Sequence, residues 1–267
     1  MDMIEIEDGF WNIRGSFKVG GVVEIGTQAS LVRLSDGDFV ILDTCLLTPE
    51  MVSKIDQLTE GGKRIKAILN LHPFHTVYVK SMHERFPDAA LYGTSRHLEK
   101  LPTLPWQSLC TEDPNLHKLF DEDFRFSVPK GVDFISSNEN VHFSSVLVFH
   151  SASKTIHVDD TLVFSELPGL MGMVGYKNVL SFHPTLLMAL QKRQGAAEEF
   201  EVWARELANQ WYEAENLVAA HTAPLMGKES SGASIRDRII NALNSVKWLL
   251  AGHKLRVKSE AIILRKK

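Results

Sequence analysis

The sequence predicts a layered α/β sandwich, in which helices cover the faces of sheets. Its first third is β-rich, because short apolar runs at residues 11–17, 21–26 and 29–34 are separated by glycines. Two amphipathic helices are predicted later in the chain, at residues 196–211 and 234–250. Strands that alternate with helices after a β-meander are typical of such layered folds.

The elements that follow the β-rich third alternate between strand and helix. An Asp-Gly pair at residues 36–37 predicts a hairpin turn into an apolar strand at 38–43. The Thr-Pro pair at 48–49 predicts a helix start, since threonine caps helices and proline fits their first turn. A second buried strand is predicted at 65–71, and a helix at 77–85.

A β-hairpin predicted around the turn at residues 151–154 places two polar residues together. A turn centred in this segment puts Asp160 opposite Ser145, and strand alternation puts Asp160 and Asp159 on opposite faces. A carboxylate on an apolar face needs a metal, a cation or several donors to remain ionised. His142 lies three residues before Ser145, so an imidazole is expected at the same open end of the hairpin.

Residues 101–140 lack clear periodicity and contain four prolines and several acidic residues. We expect this segment to be an irregular excursion over the surface of a single domain that spans residues 1–267. The helix at 234–250 is expected to end at Gly252, because glycine is the commonest residue after a helix C-terminus.

Composition excludes several classes of function. The formal net charge of -4 disfavours binding to nucleic acid or to acidic membranes. No apolar run approaches the ~20 residues of a membrane helix, and the acidic N-terminus does not resemble a signal peptide. Cys45 and Cys110 form no disulfide framework. We therefore expect a cytoplasmic protein with a small-molecule substrate or ligand and neither nucleic-acid nor membrane partners, while the oligomeric state stays open.

The 11 histidines are the residues most suggestive of a site. His72 and His75 follow the predicted strand at 65–71, and His221 follows the apolar run at 217–220. Side chains at strand ends commonly meet above one sheet edge, where α/β folds build their sites. Taken singly, each of these histidines is also compatible with an ordinary packing role.

Together these residues resemble the marks of the metallo-β-lactamase superfamily, in the same order along roughly residues 10 to 225. The marks are an aspartate that ends an early strand, a histidine box after the next strand, a histidine that opens a hairpin, an aspartate that ends it and a late histidine. Their counterparts here are Asp43, His72, His142, Asp160 and His221. The resemblance implies a four-layer αββα sandwich and a hydrolase that acts on an ester, thioester or lactam-type bond.

The histidine box departs from the family pattern His-x-His-x-Asp-His. It reads His-Pro-Phe-His-Thr-Val at residues 72–77, so Phe74, Thr76 and Val77 replace three of the family's metal ligands. In the family these residues hold much of a two-zinc centre. The resemblance therefore implies at most one zinc or iron ion. Its candidate ligands are His72, His75, His142, Asp160 and His221, and Asp160 is also the candidate catalytic residue.

Three functions remain open from the sequence. One is a mononuclear metal-dependent hydrolase, since three or four N and O ligands can hold one zinc or iron ion. The second is a metal-free binding or scaffold protein on the same fold, as the altered box allows. The third, less favoured, is an iron-dependent redox enzyme of the same superfamily. The glycine-rich segment 167–175 is expected to be either a mobile lid over the site or a loop packed on its own core.

Overall fold

The computed structural model of the protein describes residues 2–16, 18–19, 23–24, 26–165, 179–220, 224–227 and 232–264. Its strands are β1 (Asp2–Glu7), β2 (Phe10–Gly15), β3 (Lys18–Val19), β4 (Val23–Glu24), β5 (Thr27–Arg33), β6 (Phe39–Leu42), β7 (Ile65–Leu69), β8 (Ala90–Tyr92), β9 (Phe124–Ser127), β10 (Leu147–His150), β11 (Thr155–Val158), β12 (Leu162–Ser165), β13 (Val179–Phe182) and β14 (Asn216–Ala219). Its helices are α1 (Pro49–Thr59), α2 (Val79–Arg85), α3 (Ser95–Lys100), α4 (Pro114–Leu119), α5 (Leu186–Ala189), α6 (Ala196–Gln210), α7 (Ile235–Ser245) and α8 (Lys247–Leu264).

Two sheets form the centre of the described structure. The first has six strands in the order β1-β2-β5-β6-β7-β8, and the second has four in the order β14-β11-β10-β9. β6 and β7 run parallel in the first sheet, as do β11 and β14 in the second. Because parallel neighbours end at the same edge of a sheet, the loops after β6 and β7 leave together, and so do the loops after β11 and β14.

Three apolar clusters separate the layers. Val40 and Val148 belong to the cluster between the two sheets. Ile41 packs with Ile55 of α1 on the outer face of the first sheet, and Phe149 belongs with helix α6 to the cluster on the outer face of the second. Successive residues of a strand thus point into different apolar clusters. Both faces of each sheet are therefore buried. The resulting order of layers is helix, sheet, sheet, helix.

The structure confirms several local predictions. Thr48 caps α1 by accepting a hydrogen bond from the backbone of Met51, and Gly37 in the hairpin turn has a φ of 87°. In the second hairpin, Val148 pairs with His157 and Phe149 with Ile156, which is the register that the sequence predicts. This register matters for the site, because it fixes where the chain leaves β11.

Two predictions about elements are wrong. Within residues 101–140, β9 pairs with β10 and its Phe124 is buried, so part of the predicted excursion is an edge strand of the second sheet. The helix predicted at 234–250 consists of α7 and α8, which meet at Val246, and α8 continues through Gly252. Gly252 has open space around its α-carbon, and the buried residues His253 and Val257 continue the apolar face of α8 beyond it.

Among the described helices, none combines the length and apolar character needed to cross a bilayer. The segment 167–175 lies outside the described residues, and so do residues 21, 22 and 25 of the predicted run at 21–26.

Candidate metal centre

Three strand ends bring histidine and aspartate residues together at one end of the two sheets. Asp43 follows β6, His72 and His75 follow β7, and Asp159 and Asp160 follow β11. They form two groups whose ligand atoms lie within 4.8 Å of one another. We call His72, His75 and Asp160 the outer group. Asp43, Asp159 and the strand residue His157 form the inner group.

The outer group gathers three of the candidate ligands that the sequence predicts. Asp160 Oδ2 lies 3.3 Å from His72 Nε2 and 3.7 Å from His75 Nε2. The imidazole rings of His72 and His75 are stacked, with their centroids 4.0 Å apart. His72 and Asp160 are buried, while the side chain of His75 is 23% exposed. One face of this group is therefore open to a ligand.

The contacts of His72 leave one of its two ring nitrogens unsatisfied. The backbone N–H of Phe74 donates to His72 Nδ1 at 3.2 Å, whereas His72 Nε2 is buried and has no hydrogen-bond partner. Burial and the neighbouring His75 hold the pKa of His72 well below its usual value, with Asp160 opposing them. A neutral imidazole is the form that binds a metal.

The contact with Phe74 indicates the tautomer of His72. Because Nδ1 accepts from the backbone N–H of Phe74, the proton of the neutral ring lies on Nε2. For His72 Nε2 to act as a ligand of a neutral ring, this proton would have to lie on Nδ1, and the 3.2 Å contact with the Phe74 N–H would then have to open. Metal binding would thus be coupled to the backbone of residue 74.

His75 has the opposite electrostatic environment. Its Nδ1–H donates to Asp159 Oδ2 at 2.8 Å. Burial alone would lower the pKa of His75, but the carboxylates of Asp159 and Asp160 outweigh it and raise the pKa well above the usual value. The buried ring of His97 donates from Nε2 to the backbone carbonyl of His75 at 3.2 Å, which anchors this loop.

The inner group is held by protein partners on every side. His157 Nε2 donates to Asp43 Oδ2 at 3.0 Å, and Ser30 Oγ lies 2.9 Å from His157 Nδ1. The other oxygen of Asp43 accepts from the backbone N–H of Leu71 at 2.7 Å. Asp43 has a φ of 55°, a left-handed conformation that costs an L-residue about 1–2 kcal/mol. These hydrogen bonds hold Asp43 in that conformation and tie the two sheets together.

Burial, followed by the charge of Asp159, raises the pKa of Asp43 to about 6, against the hydrogen bond from His157. Burial also opposes ionisation of Asp159, but the neighbouring imidazoles, His75 first, lower the pKa of Asp159 below its usual value. The charge of this pair of carboxylates is therefore concentrated on Asp159, the one nearer to the outer group.

Polar side chains of the first sheet hold Asp159 of the inner group in place. Gln28 Nε2 donates to Asp159 Oδ1 at 3.1 Å and to the backbone carbonyl of Val158 at 2.8 Å. Gln28 Oε1 accepts from Asn12 Nδ2 and from Arg14 Nη1, each at 3.1 Å. These side chains lie on the neighbouring strands β2 and β5, so the first sheet fixes a residue at the end of the second.

His142 lies beside the outer group without joining it. Its ring centroid is 5.9 Å from that of His72, and its Nε2–H donates to the backbone carbonyl of Glu139 at 2.7 Å. The ring of Phe74, which stands where the family has a second histidine, stacks on His142 at 4.7 Å. The guanidinium of Arg96 also packs on Phe74, 4.4 Å from the ring centroid. His142 remains a candidate ligand through Nδ1.

Strand alternation predicts Asp159 beside His157 and Asp160 on the other face, and the two aspartates do fall into different groups, Asp159 with His157 and Asp160 with His72. What alternation does not predict is that the ring of His75 lies between the groups, with Nδ1 near Asp159 and Nε2 near Asp160. His221 lies outside the described residues. Sequence reasoning also missed His157 and Gln28, because a polar residue within a strand gives no local signal of what it faces.

The residues of the outer group fit a metal ion. They offer two imidazole nitrogens and a carboxylate oxygen, which is a donor set suited to zinc or iron. A buried polar atom without a partner is unusual in folded proteins, and His72 Nε2 is such an atom within this donor set. In the inner group, by contrast, His157 and both aspartates already have protein partners.

Comparisons with known proteins bear on the fold. No family model matches the sequence, and no curated protein is significantly similar to it. Solved structures do match. The DIM-1 metallo-β-lactamase exposed to ceftazidime aligns with a TM-score of 0.59 at 13% identity over 92% of this chain and 97% of its own. A metallo-β-lactamase from Erythrobacter litoralis with β-mercaptoethanol in its active site gives 0.58 at 13% identity, over 91% and 96%.

The metallo-β-lactamase FIM-1 from Pseudomonas aeruginosa, in its mono-zinc form, aligns with a TM-score of 0.57 at 10% identity over 92% of this chain and 95% of its own. Identities this low show a shared fold rather than a shared activity. The alignments cover more than 90% of both chains in each comparison. The chain therefore has the metallo-β-lactamase fold, as its sequence predicts.

Proposed function

We propose that the protein is a mononuclear metal-dependent hydrolase of a small molecule with an ester, thioester or lactam-type bond. The observation that carries this proposal is the unsatisfied Nε2 of His72, buried beside His75 and Asp160. These three residues would hold one zinc or iron ion. His142, and His221 beyond the described residues, are proposed as further ligands.

When bound, the ion would supply a Lewis acid that polarises the scissile carbonyl and acidifies a water molecule. The chain's own residues supply the rest of the site. Asp160 Oδ2 lies near both imidazoles, and a carboxylate that binds the ion through one oxygen would keep its other oxygen to orient a water molecule and accept its proton. His75 forms the exposed edge of the group, where a substrate would approach.

The solved structures support the chemical class of the proposal. They are metallo-β-lactamases, one exposed to ceftazidime and another in a mono-zinc form. A single-ion centre is consistent with the replacement of the box residues by Phe74, Thr76 and Val77. The same comparison supports a lactam or a related acyl bond as the substrate class to test first.

The test is elemental analysis of the purified protein, with thermal denaturation in the presence of added zinc, iron or manganese. We expect about one ion per chain and a rise in melting temperature, since a ligand that binds only the folded state stabilises it. His72→Ala and Asp160→Asn should remove both effects, whereas His83→Ala on α2 should keep them. Wild-type protein without stoichiometric metal and without metal-dependent stabilisation would contradict the proposal.

A metal-free binding or scaffold protein is the second candidate. Its support is the stack of Arg96, Phe74 and His142, which fills the place of the missing box histidine with an apolar ring. Such a protein would bind its ligand equally well after thorough chelation. Hydrolysis that is lost in His142→Ala and Asp160→Ala would exclude this function.

A further inference from the structure

The buried carboxylate of Asp159 joins His75 to the first sheet. One oxygen accepts the Nδ1–H of His75 at 2.8 Å, and the other accepts Gln28 Nε2 at 3.1 Å. Asp159 is only 2% exposed, so this carboxylate does not face the solvent side of the site. The counterparts of the superfamily's marks in this chain do not include it. Its role must therefore be inferred from its contacts.

The amide of Gln28 has only one orientation that satisfies its neighbours. Its oxygen accepts hydrogen bonds from Asn12 and Arg14, both of which present N–H groups. Its nitrogen donates to the carbonyl of Val158 and to Asp159. Turning the amide over would place donors against donors and the oxygen against two acceptors. The atom of residue 159 that faces Gln28 must therefore be an acceptor.

We propose that Asp159 is a positioning residue that keeps the proton of His75 on Nδ1 and so presents His75 Nε2 as a metal ligand. Through this contact His75 takes over the ligand position that Phe74 vacates in the histidine box. The inference rests on the proposed function, since it concerns how the same ion is held. A carboxylate that accepts from a ligating imidazole fixes the tautomer and ring orientation, and its removal typically costs 10–100-fold in metal affinity.

The substitution Asp159→Asn tests this geometry because Gln28 dictates how the new amide must lie. The oxygen of the new amide would face the Gln28 donor, so its NH₂ group would face His75 Nδ1. An NH₂ group donates, so Nδ1 would become the acceptor and the proton would move to Nε2. A metal could then reach Nε2 only by displacing that proton, which weakens binding. The variant changes one atom and leaves the volume of the side chain almost unchanged.

The experiment measures zinc affinity by competition with a chelator and reads the ring nitrogens of His75 by ¹⁵N NMR. We expect about a 10–100-fold loss of zinc affinity in Asp159→Asn. In the apo variant at a pH where His75 is neutral, the spectra should show the Nε2–H tautomer. The matched control is Asp123→Asn. Asp123 accepts from Ser35 on the surface, away from both groups, and its variant should bind zinc like the wild type.

The outcomes separate this inference from the proposed function. A wild-type protein that binds none of zinc, iron and manganese contradicts both. Wild-type binding that persists within about threefold in Asp159→Asn overturns the inference alone. If Asp159→Asn does not fold, the inference is tested on the zinc-loaded wild type, by locating the ring proton of His75 and the nitrogen that binds zinc. Retention of the proton on Nδ1 with zinc on Nε2 supports the inference, and coordination through Nδ1 overturns it.

Discussion

The outer and inner groups contain the same two residue types and lie side by side, yet they differ in how their polar atoms are satisfied. In the inner group, both nitrogens of His157 and both oxygens of Asp43 have protein partners. In the outer group, His72 Nε2 makes no hydrogen bond, although Asp160 Oδ2 lies 3.3 Å away, and the ring of His75 is 23% exposed. A cluster of histidine and aspartate therefore indicates a ligand site only where its hydrogen bonds remain incomplete, and a scaffold where they are complete.

The largest expected effect comes from breaking the inner group. Asp43→Ala leaves the Nε2–H of His157 and the N–H of Leu71 buried without an acceptor. Removing one partner of such a buried pair typically costs about 3–5 kcal/mol, and we expect that loss in the free energy of unfolding measured with urea. Asp123→Ala, at a half-buried carboxylate that accepts from Ser35, is the control. A loss below about 1 kcal/mol would mean that the inner group is not the scaffold described above.

A smaller effect should come from His150, a buried histidine outside both groups. Burial lowers the pKa of His150 to about 4, against an ordinary value near 6.5 in the unfolded chain. Its contribution to stability is thus present above pH 6.5 and is lost progressively as the pH falls toward 4. Linkage gives a loss of about 2 kcal/mol between pH 7 and pH 5.

Urea denaturation at both pH values measures this loss in the wild type and in His150→Gln, which cannot titrate. The difference between the two proteins isolates the contribution of His150. Any acid sensitivity that remains in His150→Gln can then be assigned to other groups, the outer and inner groups among them. Equal losses in wild type and variant would show that His150 is not responsible.

The smallest expected effect comes from repairing the histidine box. The ring of Phe74 lies 6.0 Å from that of His72 and 4.7 Å from that of His142, so Phe74→His adds a nitrogen donor beside the outer group. We expect zinc affinity to rise about tenfold, or about 1.4 kcal/mol, in a chelator competition. Phe74→Leu removes the ring without adding a donor and should not raise the affinity. If zinc affinity rises in both variants, the cause is the loss of the Phe74 ring from its stack on His142 and not the new histidine.

The helices, the strands and the hairpin register were largely predictable, because each depends on local signals. Thr48 and Pro49 start α1, and the turn at 151–154 fixes the pairing of Val148 with His157. Local signals fail where a long-range partner decides the outcome. Phe124 lies in a proline-rich, acidic segment, yet it is buried because β9 pairs with β10 at the edge of the second sheet.

The sequence by itself predicted a layered α/β sandwich, because helix starts, strands and turns depend on local residues. Its resemblance to the metallo-β-lactamase superfamily added the four-layer fold and the candidate ligands His72, His75 and Asp160. Only the tertiary structure decided that Asp159 contacts His75, because the loop after β7 lies beside the end of β11. It also decided that Gln28 lies against Asp159, across 131 residues of chain. Whether a buried polar atom is satisfied depends on partners that folding brings from distant strands, and no local pattern encodes that property.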